Sequence, residues 1–135
     1  MARVIKVLIV EDDPSIQNAY QFILKKYGYE VLVAEDGVEA LRQLPAVPDI
    51  ILLDMLMPGF SGLDFLREAE LQVRYPRIKV VAISNIDSER VRADAATLGV
   101  VRYLIKVEQN PSDIVKLVAE LASEQLPVRT DVPVE

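Results

Sequence analysis

Polar and charged residues stand at the ends of four apolar stretches of this 135-residue sequence. Asp54 follows the run Ile50–Leu53 and precedes a Pro-Gly pair, so we expect it to close a buried strand and open into a loop. Each such residue alone has an ordinary explanation, as a helix cap, a turn residue or a strand-end side chain. Together they would surround one crevice. The residues that follow the other three stretches are Glu11-Asp12-Asp13, Ser84 and Lys106.

A crevice with several carboxylates has a restricted chemistry. Like charges about 4 Å apart repel by about 1 kcal/mol in water and by about 4 kcal/mol at an effective dielectric of 20, so such a cluster favours a bound cation. Mg²⁺ suits carboxylates, a backbone carbonyl and waters. A carboxylate such as Asp54 can also attack a phosphoryl group. Mg²⁺ and the Lys106 ammonium would balance the charge, and the Ser84 hydroxyl would bind a phosphoryl oxygen.

The composition excludes several other kinds of site. The sequence contains neither Cys nor His, which rules out thiol nucleophiles, disulfides, Ser-His catalysis and His-ligated zinc. Its net charge of −6, without a Lys/Arg cluster, disfavours direct binding of nucleic acid or an anionic membrane. Apolar runs of about seven residues are far below the roughly 20 that span a bilayer. Val4–Val10 is too short for a signal peptide, so we expect a cytoplasmic protein.

Five strands and five helices are predicted to position these residues. β-Branched and apolar runs predict the strands, which are Val4–Val10, Glu30–Ala34, Asp49–Leu53, Ile78–Ile83 and Val100–Ile105. Capping residues predict the starts of four helices, at Asp13-Pro14, at Asp36 with Glu39, at Ser61 with Asp64 and at Asn110-Pro111. The remaining helix would follow the loop Ser84–Asp87.

The helices are expected to turn apolar stripes toward the sheet. Gly28 and Gly99 suit the positions that end the first and fourth helices, and the third helix is expected to run to about Val73. A single domain over residues 1–124 would leave 125–135 as a tail or the start of a linker. The predicted stripes are Ile16, Tyr20, Ile23 and Tyr27; Leu63, Leu66 and Ala69; Val91, Ala95 and Leu98; and Ile114, Leu117, Val118 and Leu121.

Strands that alternate with helices indicate a parallel sheet with right-handed crossovers and helices on both faces. The strands are continuously apolar, which agrees with burial on both faces. In such α/β sheets the site lies beyond the carboxyl ends of the strands, where the strand order reverses. The four polar clusters are predicted to lie at that edge.

The sequence resembles the receiver domain of two-component response regulators. Over about residues 4–122, the matching features are LIVEDDP, AEDGVEAL, LLDMLMPGFSGLDFL, the Ser84 position and YLIK ending at Lys106. The resemblance implies a flavodoxin-like, doubly wound (βα)5 sandwich with a five-stranded parallel sheet in the order 2-1-3-4-5. It also implies that Asp54 is the phosphoacceptor.

The resemblance assigns the metal site to one group of residues. Asp12 and Asp54 would bind Mg²⁺ (or Mn²⁺) directly, Glu11 would act through water, and the Leu56 carbonyl would complete the protein ligands. The partner implied is a sensor histidine kinase or a histidine phosphotransfer protein. Downstream it implies an effector protein or an output domain truncated from this chain, and a phosphorylation-dependent homodimer.

The resemblance also assigns a switch. Lys106 would pair with the phosphate, Ser84 would be the switch hydroxyl, and Tyr103 would be the aromatic rotamer switch on the fifth strand. Asn85 stands where the family usually has Ala or Gly, at the entrance for the phosphate, and is predicted to affect its access and lifetime. Val107 replaces a frequent Pro, which leaves open whether the peptide after Lys106 is cis, since a non-Pro cis bond costs about 2.5–4 kcal/mol.

Two other functions stay open. A pseudo-receiver would keep the fold as a binding module without phosphorylation. A Mg²⁺-dependent phosphohydrolase would usually need a second acid two residues after its nucleophile, where this chain has Leu56. A flavodoxin-type cofactor role is disfavoured by the acidic first loop. The receiver interpretation predicts a protein that catalyses only its own phosphorylation and dephosphorylation, rather than an enzyme in the usual sense.

Overall fold

The computed structural model describes residues 3–125, and within this range five parallel strands form one sheet. Their order is β2-β1-β3-β4-β5, as the resemblance implies. The order reverses between β1 and β3, and the carboxyl ends of these two neighbours lie side by side. The strands are β1 (Lys6–Val10), β2 (Glu30–Ala34), β3 (Ile50–Asp54), β4 (Lys79–Ser84) and β5 (Val100–Ile105).

Five principal helices connect and follow the strands. Short helical turns extend two of the crossovers and begin the loop after β5; these are Leu44–Ala46, Leu71–Arg74 and Lys106–Glu108. The principal helices are α1 (Pro14–Lys26), α2 (Gly37–Gln43), α3 (Gly62–Ala69), α4 (Glu89–Thr97) and α5 (Pro111–Gln125). Of the predicted tail, 125–135, Gln125 is the last residue of α5, and 126–135 lie outside the described residues.

The central strands β1, β3 and β4 are covered on both faces, which explains their continuous apolar runs. Alternate strand residues point to opposite faces and build two separate cores. On one face Val7 and Ile9 pack with α1 and α5, and on the other Leu8 and Val10 pack with α2, α3 and α4. All five residues of β3 are buried, so the strand that ends in Asp54 is the most enclosed one.

The predicted caps largely agree with the structure. The Asp13 carboxylate accepts from the Ser15 N–H at 2.8 Å, with Pro14 at the first helical position. Ser61 and Asp64 form a complete capping box, in which each side chain accepts from the backbone N–H of the other residue. Gly28 and Gly99 have φ of 92° and 102°, which non-glycine residues rarely adopt, and they follow α1 and α4 as predicted. Such caps satisfy helix-end groups that burial would otherwise leave unpaired.

Several details of the sequence prediction are wrong. Ser84 is the last residue of β4 rather than the first loop residue, since it pairs with Ile105. Tyr27 is 62% exposed because it lies beyond the last residue of α1, and Leu24 is buried in the helix instead. The third helix does not run unbroken to about Val73, because Glu70 adopts a left-handed conformation with φ 48°.

The capping box predicted at α2 is only half formed. The Asp36 carboxylate accepts from the Glu39 N–H at 2.8 Å, but the Glu39 carboxylate accepts from the Glu35 N–H instead of from the cap residue itself. α2 therefore starts where predicted, but the Glu39 carboxylate bonds to the N–H of the residue before the cap rather than to that of the cap. Within the described range, the helices are too short or too polar to cross a membrane.

Candidate active site

The loops after β1 and β3 meet at one edge of the sheet because these strands are neighbours in register, with Val10 opposite Leu53. Glu11 follows β1 and is 3% exposed, while Asp54 ends β3 and is 4% exposed. Asp12 is exposed to solvent beside them. Oxygen atoms of the three carboxylates lie within 4.8 Å of one another. The structure therefore brings together three side chains that are separated by up to 43 positions in sequence.

This carboxylate cluster fits a hard divalent cation. Two buried carboxylates and one exposed carboxylate offer oxygen ligands, which Mg²⁺ prefers, and the exposed side leaves room for the waters that Mg²⁺ usually keeps. Leu56 lies beside the cluster, since its N–H donates to Asp54 Oδ1 at 3.0 Å. Its carbonyl as a metal ligand stays a prediction.

The Lys106 ammonium lies between the two buried carboxylates. Its Nζ is 2.9 Å from Glu11 Oε1 and 3.2 Å from Asp54 Oδ2, and the lysine side chain is only 17% exposed. Burial lowers the pKa of Lys106, but the hydrogen bonds and charges of Glu11 and Asp54 outweigh burial and hold that pKa above 10.5. The lysine is therefore positively charged at neutral pH and partly neutralises the cluster.

The surroundings of Glu11 disfavour the ionised form of its side chain. Burial raises its pKa above 4.5, and the bond to Lys106 only partly offsets this. The Asp13 N–H donates to Glu11 Oε2 at 3.1 Å, and the Gln17 amide donates to the Glu11 carbonyl at 2.5 Å. These contacts fix both the side chain and the backbone of Glu11, so it is a rigid member of the site.

Ser84 lies at the end of β4 with no exposed surface. Its Oγ accepts from the Ile86 N–H at 3.0 Å, which leaves the hydroxyl proton available for another acceptor. The Tyr103 hydroxyl donates to the Ile86 carbonyl at 2.8 Å. Ile86 is thus tied to both of the predicted switch residues.

Tyr103 has a further partner on α4. The Arg92 guanidinium lies 4.6 Å from the centre of the Tyr103 ring, and its Nε is 3.2 Å from Asp87 Oδ1. A cation over an aromatic ring in this range is attractive. The half-buried Tyr103 is therefore held by both its hydroxyl and its ring face.

Asn85 and Val107 contact each other directly. The Asn85 Oδ1 accepts from the Val107 N–H at 2.9 Å. The described residues contain no cis peptide bond, so the Lys106–Val107 bond is trans. The segment after β5 begins with the helical turn Lys106–Glu108, closed by a 3.1 Å bond from the Gln109 N–H to the Lys106 carbonyl.

A wider groove of about 1040 Å³ lies at the opposite end of the sheet, lined by Asp49, Tyr75 and Arg77 among others. It shares no residue with the carboxylate cluster. The clustered ionisable groups, rather than the volume, identify the carboxyl edge as the candidate active site.

Sequence reasoning missed Gln17 and Arg92. Gln17 follows the helix cap Asp13 by four residues, so its place one turn into α1 beside the first loop was a usable signal. Arg92 had no comparable signal, because its contact with Tyr103 depends on how α4 docks against β5. The bond from Asn85 to Val107 was also missed, although each residue had been singled out separately.

Comparison with known proteins finds one family that covers most of the chain. The family of response regulator receiver domains matches residues 7–119. The sensory transduction protein RegX3 of Mycobacterium tuberculosis H37Rv is 39% identical over 101 residues, which cover 74% of this chain and 43% of that protein. RegX3 of Mycolicibacterium smegmatis is 38% identical over the same shares. The chain thus spans less than half the length of these curated relatives.

Solved structures of the same kind superpose closely. The chemotaxis protein CheY4 of Vibrio cholerae has a TM-score of 0.80 at 28% identity, over 88% of this chain and 99% of that chain. A CheY-like receiver domain protein from Methanospirillum hungatei JF-1 has a TM-score of 0.83 at 27% identity, over 91% and 97%. With a family match that covers most of its length and solved structures that share its fold, this chain belongs to the response regulator receiver domains of two-component systems.

Proposed function

We propose that this domain accepts a phosphoryl group on Asp54 from a phosphohistidine on a partner protein. The observation that carries the proposal is the contact of one ammonium with two buried carboxylates, Lys106 with Glu11 and Asp54, inside a cluster that a divalent cation fits. The chain has no His of its own to act as donor.

Glu11, Asp12 and Asp54 would hold Mg²⁺, or Mn²⁺ in its place, together with the Leu56 carbonyl. The ion would supply positive charge against the oxygens of the incoming phosphoryl group. Three carboxylates with one lysine leave the cluster with net negative charge, which would repel an anionic donor. Binding of the ion is therefore expected to precede phosphorylation.

The transfer itself exchanges one bond to phosphorus for another. An Asp54 carboxylate oxygen attacks the phosphorus in line, the P–O bond forms, the P–N bond to imidazole breaks, and the imidazole nitrogen keeps the electron pair and takes a proton. The Lys106 ammonium and the Ser84 hydroxyl bind oxygens of the transferred group. Water later attacks the phosphorus, which releases inorganic phosphate and restores the Asp54 carboxylate.

Phosphorylation would then act on the face formed by α4, β5 and α5. The added charge attracts the Ser84 hydroxyl, whose Oγ now accepts from the Ile86 N–H, and Ile86 is also the partner of Tyr103. A local change of charge would thus bias the Ser84 and Tyr103 positions together, as in other modification switches. That face would bind the partner or output domain, or a second copy of the chain.

The donor would be a sensor histidine kinase or a histidine phosphotransfer protein. The curated relatives are longer than the matched region, so we propose that regulation reaches either a separate effector or an output domain. Residues 1–124 would form the receiver unit, followed by a tail or linker.

The test is phosphorylation by a small acyl-phosphate donor with Mg²⁺. Mass spectrometry should find one base-labile phosphoryl adduct on the wild type and none on Asp54→Ala, with Glu68→Ala as a control that removes an exposed acid from α3 and leaves its capping box intact. No adduct on the wild type would favour a pseudo-receiver. An undiminished adduct on Asp54→Ala would place the acceptor elsewhere, and rapid turnover of many phosphoesters would favour a phosphohydrolase.

A further inference from the structure

The β4–β5 ladder stops short of the active-site lysine. Its last pair is Ser84 with Ile105, so Lys106 and Val107 lie beyond the hydrogen bonds of the sheet. The Val107 N–H belongs to the first turn of a short helical segment, where backbone donors have no partner within the turn. Another group must satisfy this donor, and the Asn85 carboxamide does so at 2.9 Å.

This hydrogen bond joins the residues that follow two site residues, Ser84 and Lys106. Val107 is 78% exposed, so packing does little to hold the backbone there. Among the contacts described for this part of the chain, the Asn85 carboxamide and the Gln109 turn bond fix the segment from Lys106 onward. Only the first of them ties it to β4.

Lysine needs such support because its ammonium sits on a flexible four-carbon stem. The Lys106 Nζ is 2.9 Å from Glu11 and 3.2 Å from Asp54, and a shift of its backbone would change both contacts. Misplacement of a reacting or charge-stabilising group by about 1 Å can cost up to about 10²-fold in rate. The position of the Val107 amide therefore bears directly on the acceptor.

We propose that Asn85 is a positioning residue that acts through the Val107 backbone amide to hold the Lys106 ammonium between Glu11 and Asp54. The inference rests on the proposed function only where a phosphorylation rate is measured. It differs from a steric effect of Asn85 at the phosphate entrance, because it requires both a carboxamide oxygen at 85 and an N–H at 107.

The acceptor at position 85 and the N–H donor at position 107 can be removed independently. Asn85→Ala removes the acceptor, and Val107→Pro removes the donor because proline has no N–H. Val107→Ala is the matched control, since it keeps the N–H and loses only the exposed side chain. Asn85→Asp keeps an acceptor oxygen and serves as a conservative variant, and circular dichroism checks that each variant folds.

The kinetic arm measures adduct formation at Asp54 with an acyl phosphate and Mg²⁺. Asn85→Ala and Val107→Pro should each slow it by about tenfold, within the range for a small misplacement. The double variant should be no slower than the slower single, because both changes break the same bond. Effects that multiply to about 100-fold, or a Val107→Ala rate as low as that of Val107→Pro, would overturn the proposal.

The spectroscopic arm does not require phosphorylation. In the wild type and in Asn85→Asp the Val107 amide should exchange slowly with deuterium, and in Asn85→Ala at least tenfold faster, with a shifted Lys106 ammonium resonance in NMR spectra. Unchanged exchange and an unchanged lysine resonance in Asn85→Ala would refute the positioning role. A wild type that forms no adduct would refute the proposed function, while this arm would still decide on the positioning role.

Discussion

The carboxylate cluster predicts that removing one of its charges stabilises the protein in the absence of a divalent cation. Asp12 is the member to change, because it is exposed and no salt bridge described in this structure contains it, whereas Glu11 and Asp54 would each lose Lys106. Asp12→Asn keeps the shape of the side chain and removes two like-charge repulsions. We therefore expect a higher free energy of unfolding than in the wild type.

The magnitude follows from the separation of the oxygen atoms. At 4.8 Å, the upper limit within the cluster, a pair of like charges repels by about 0.9 kcal/mol in water and about 3.5 kcal/mol at an effective dielectric of 20. Solvent screens Asp12, so the value near water applies to each pair. The lost attraction to Lys106, which forms its salt bridges with Glu11 and Asp54, partly offsets the gain. We expect a net stabilisation of about 1 kcal/mol at low ionic strength.

Urea denaturation without divalent cations measures this gain, first at about 0.01 M salt and then at about 1 M, where the Debye length falls from about 30 Å to about 3 Å and the gain should vanish. Saturating Mg²⁺ should reverse the order of stability. At 100 times its dissociation constant a ligand stabilises by about 2.7 kcal/mol, and the variant should lose most of this.

Asp13→Asn is the matched control, since it removes the same charge one residue further along. Asparagine caps helices as well as aspartate does, so the bond to the Ser15 N–H is kept. The control should retain the Mg²⁺ effect. An Asp12→Asn variant that is no more stable than the wild type in low salt, or equal stabilisation of both proteins by Mg²⁺, would contradict a repulsive cation site at Asp12.

Three further outcomes are expected. Burial raises the pKa of Glu11 above 4.5, so the folded protein binds this proton more tightly than the unfolded chain does. Urea denaturation at a series of pH values should therefore show the wild type losing stability relative to Glu11→Gln as the pH rises from 4.5 through the raised pKa. In Gly62→Ala the new Cβ would lie 2.7 Å from the Met55 Cα, so denaturation should show a loss of about 1–3 kcal/mol, and a loss below 0.5 kcal/mol would show that the backbone yields. Removing the cation over the Tyr103 ring in Arg92→Ala should cost about 0.5–1 kcal/mol and shift the ring resonances in NMR spectra, whereas unshifted resonances would contradict the contact.

The sequence predicted the sheet because its signals were local and mutually consistent. Each strand is an apolar run between capping and turn residues, so β3 and its closing Asp54 could be placed to within a residue. The meeting of Glu11, Asp12 and Asp54 followed from topology alone, since parallel strands present their carboxyl ends at one edge.

What the sequence did not predict depends on details beyond local pattern. Helical periodicity favoured Tyr27 as an inward residue, but α1 ends at Lys26, and a one-residue difference at a helix end moves a side chain into solvent. The contacts of Arg92 and of Asn85 join residues 11 and 22 positions apart, and they depend on the docking of α4 and on the path of the chain after β5. No periodicity encodes either contact.

The close approach of Gly62 to Met55 makes the two sides of the site mechanically unequal. On the acceptor side, β3 is buried throughout, and the first turn of α3 presses against the backbone that follows Asp54, with no space even for a methyl group. On the other side, the residues that follow β4 and β5 are exposed or half-buried, and a few hydrogen bonds hold them in place of close packing. A group added to Asp54 would therefore face tightly packed backbone on the α3 side and more loosely held loops on the side of β4 and β5. The displacement caused by such a group would therefore be directed toward α4 and β5.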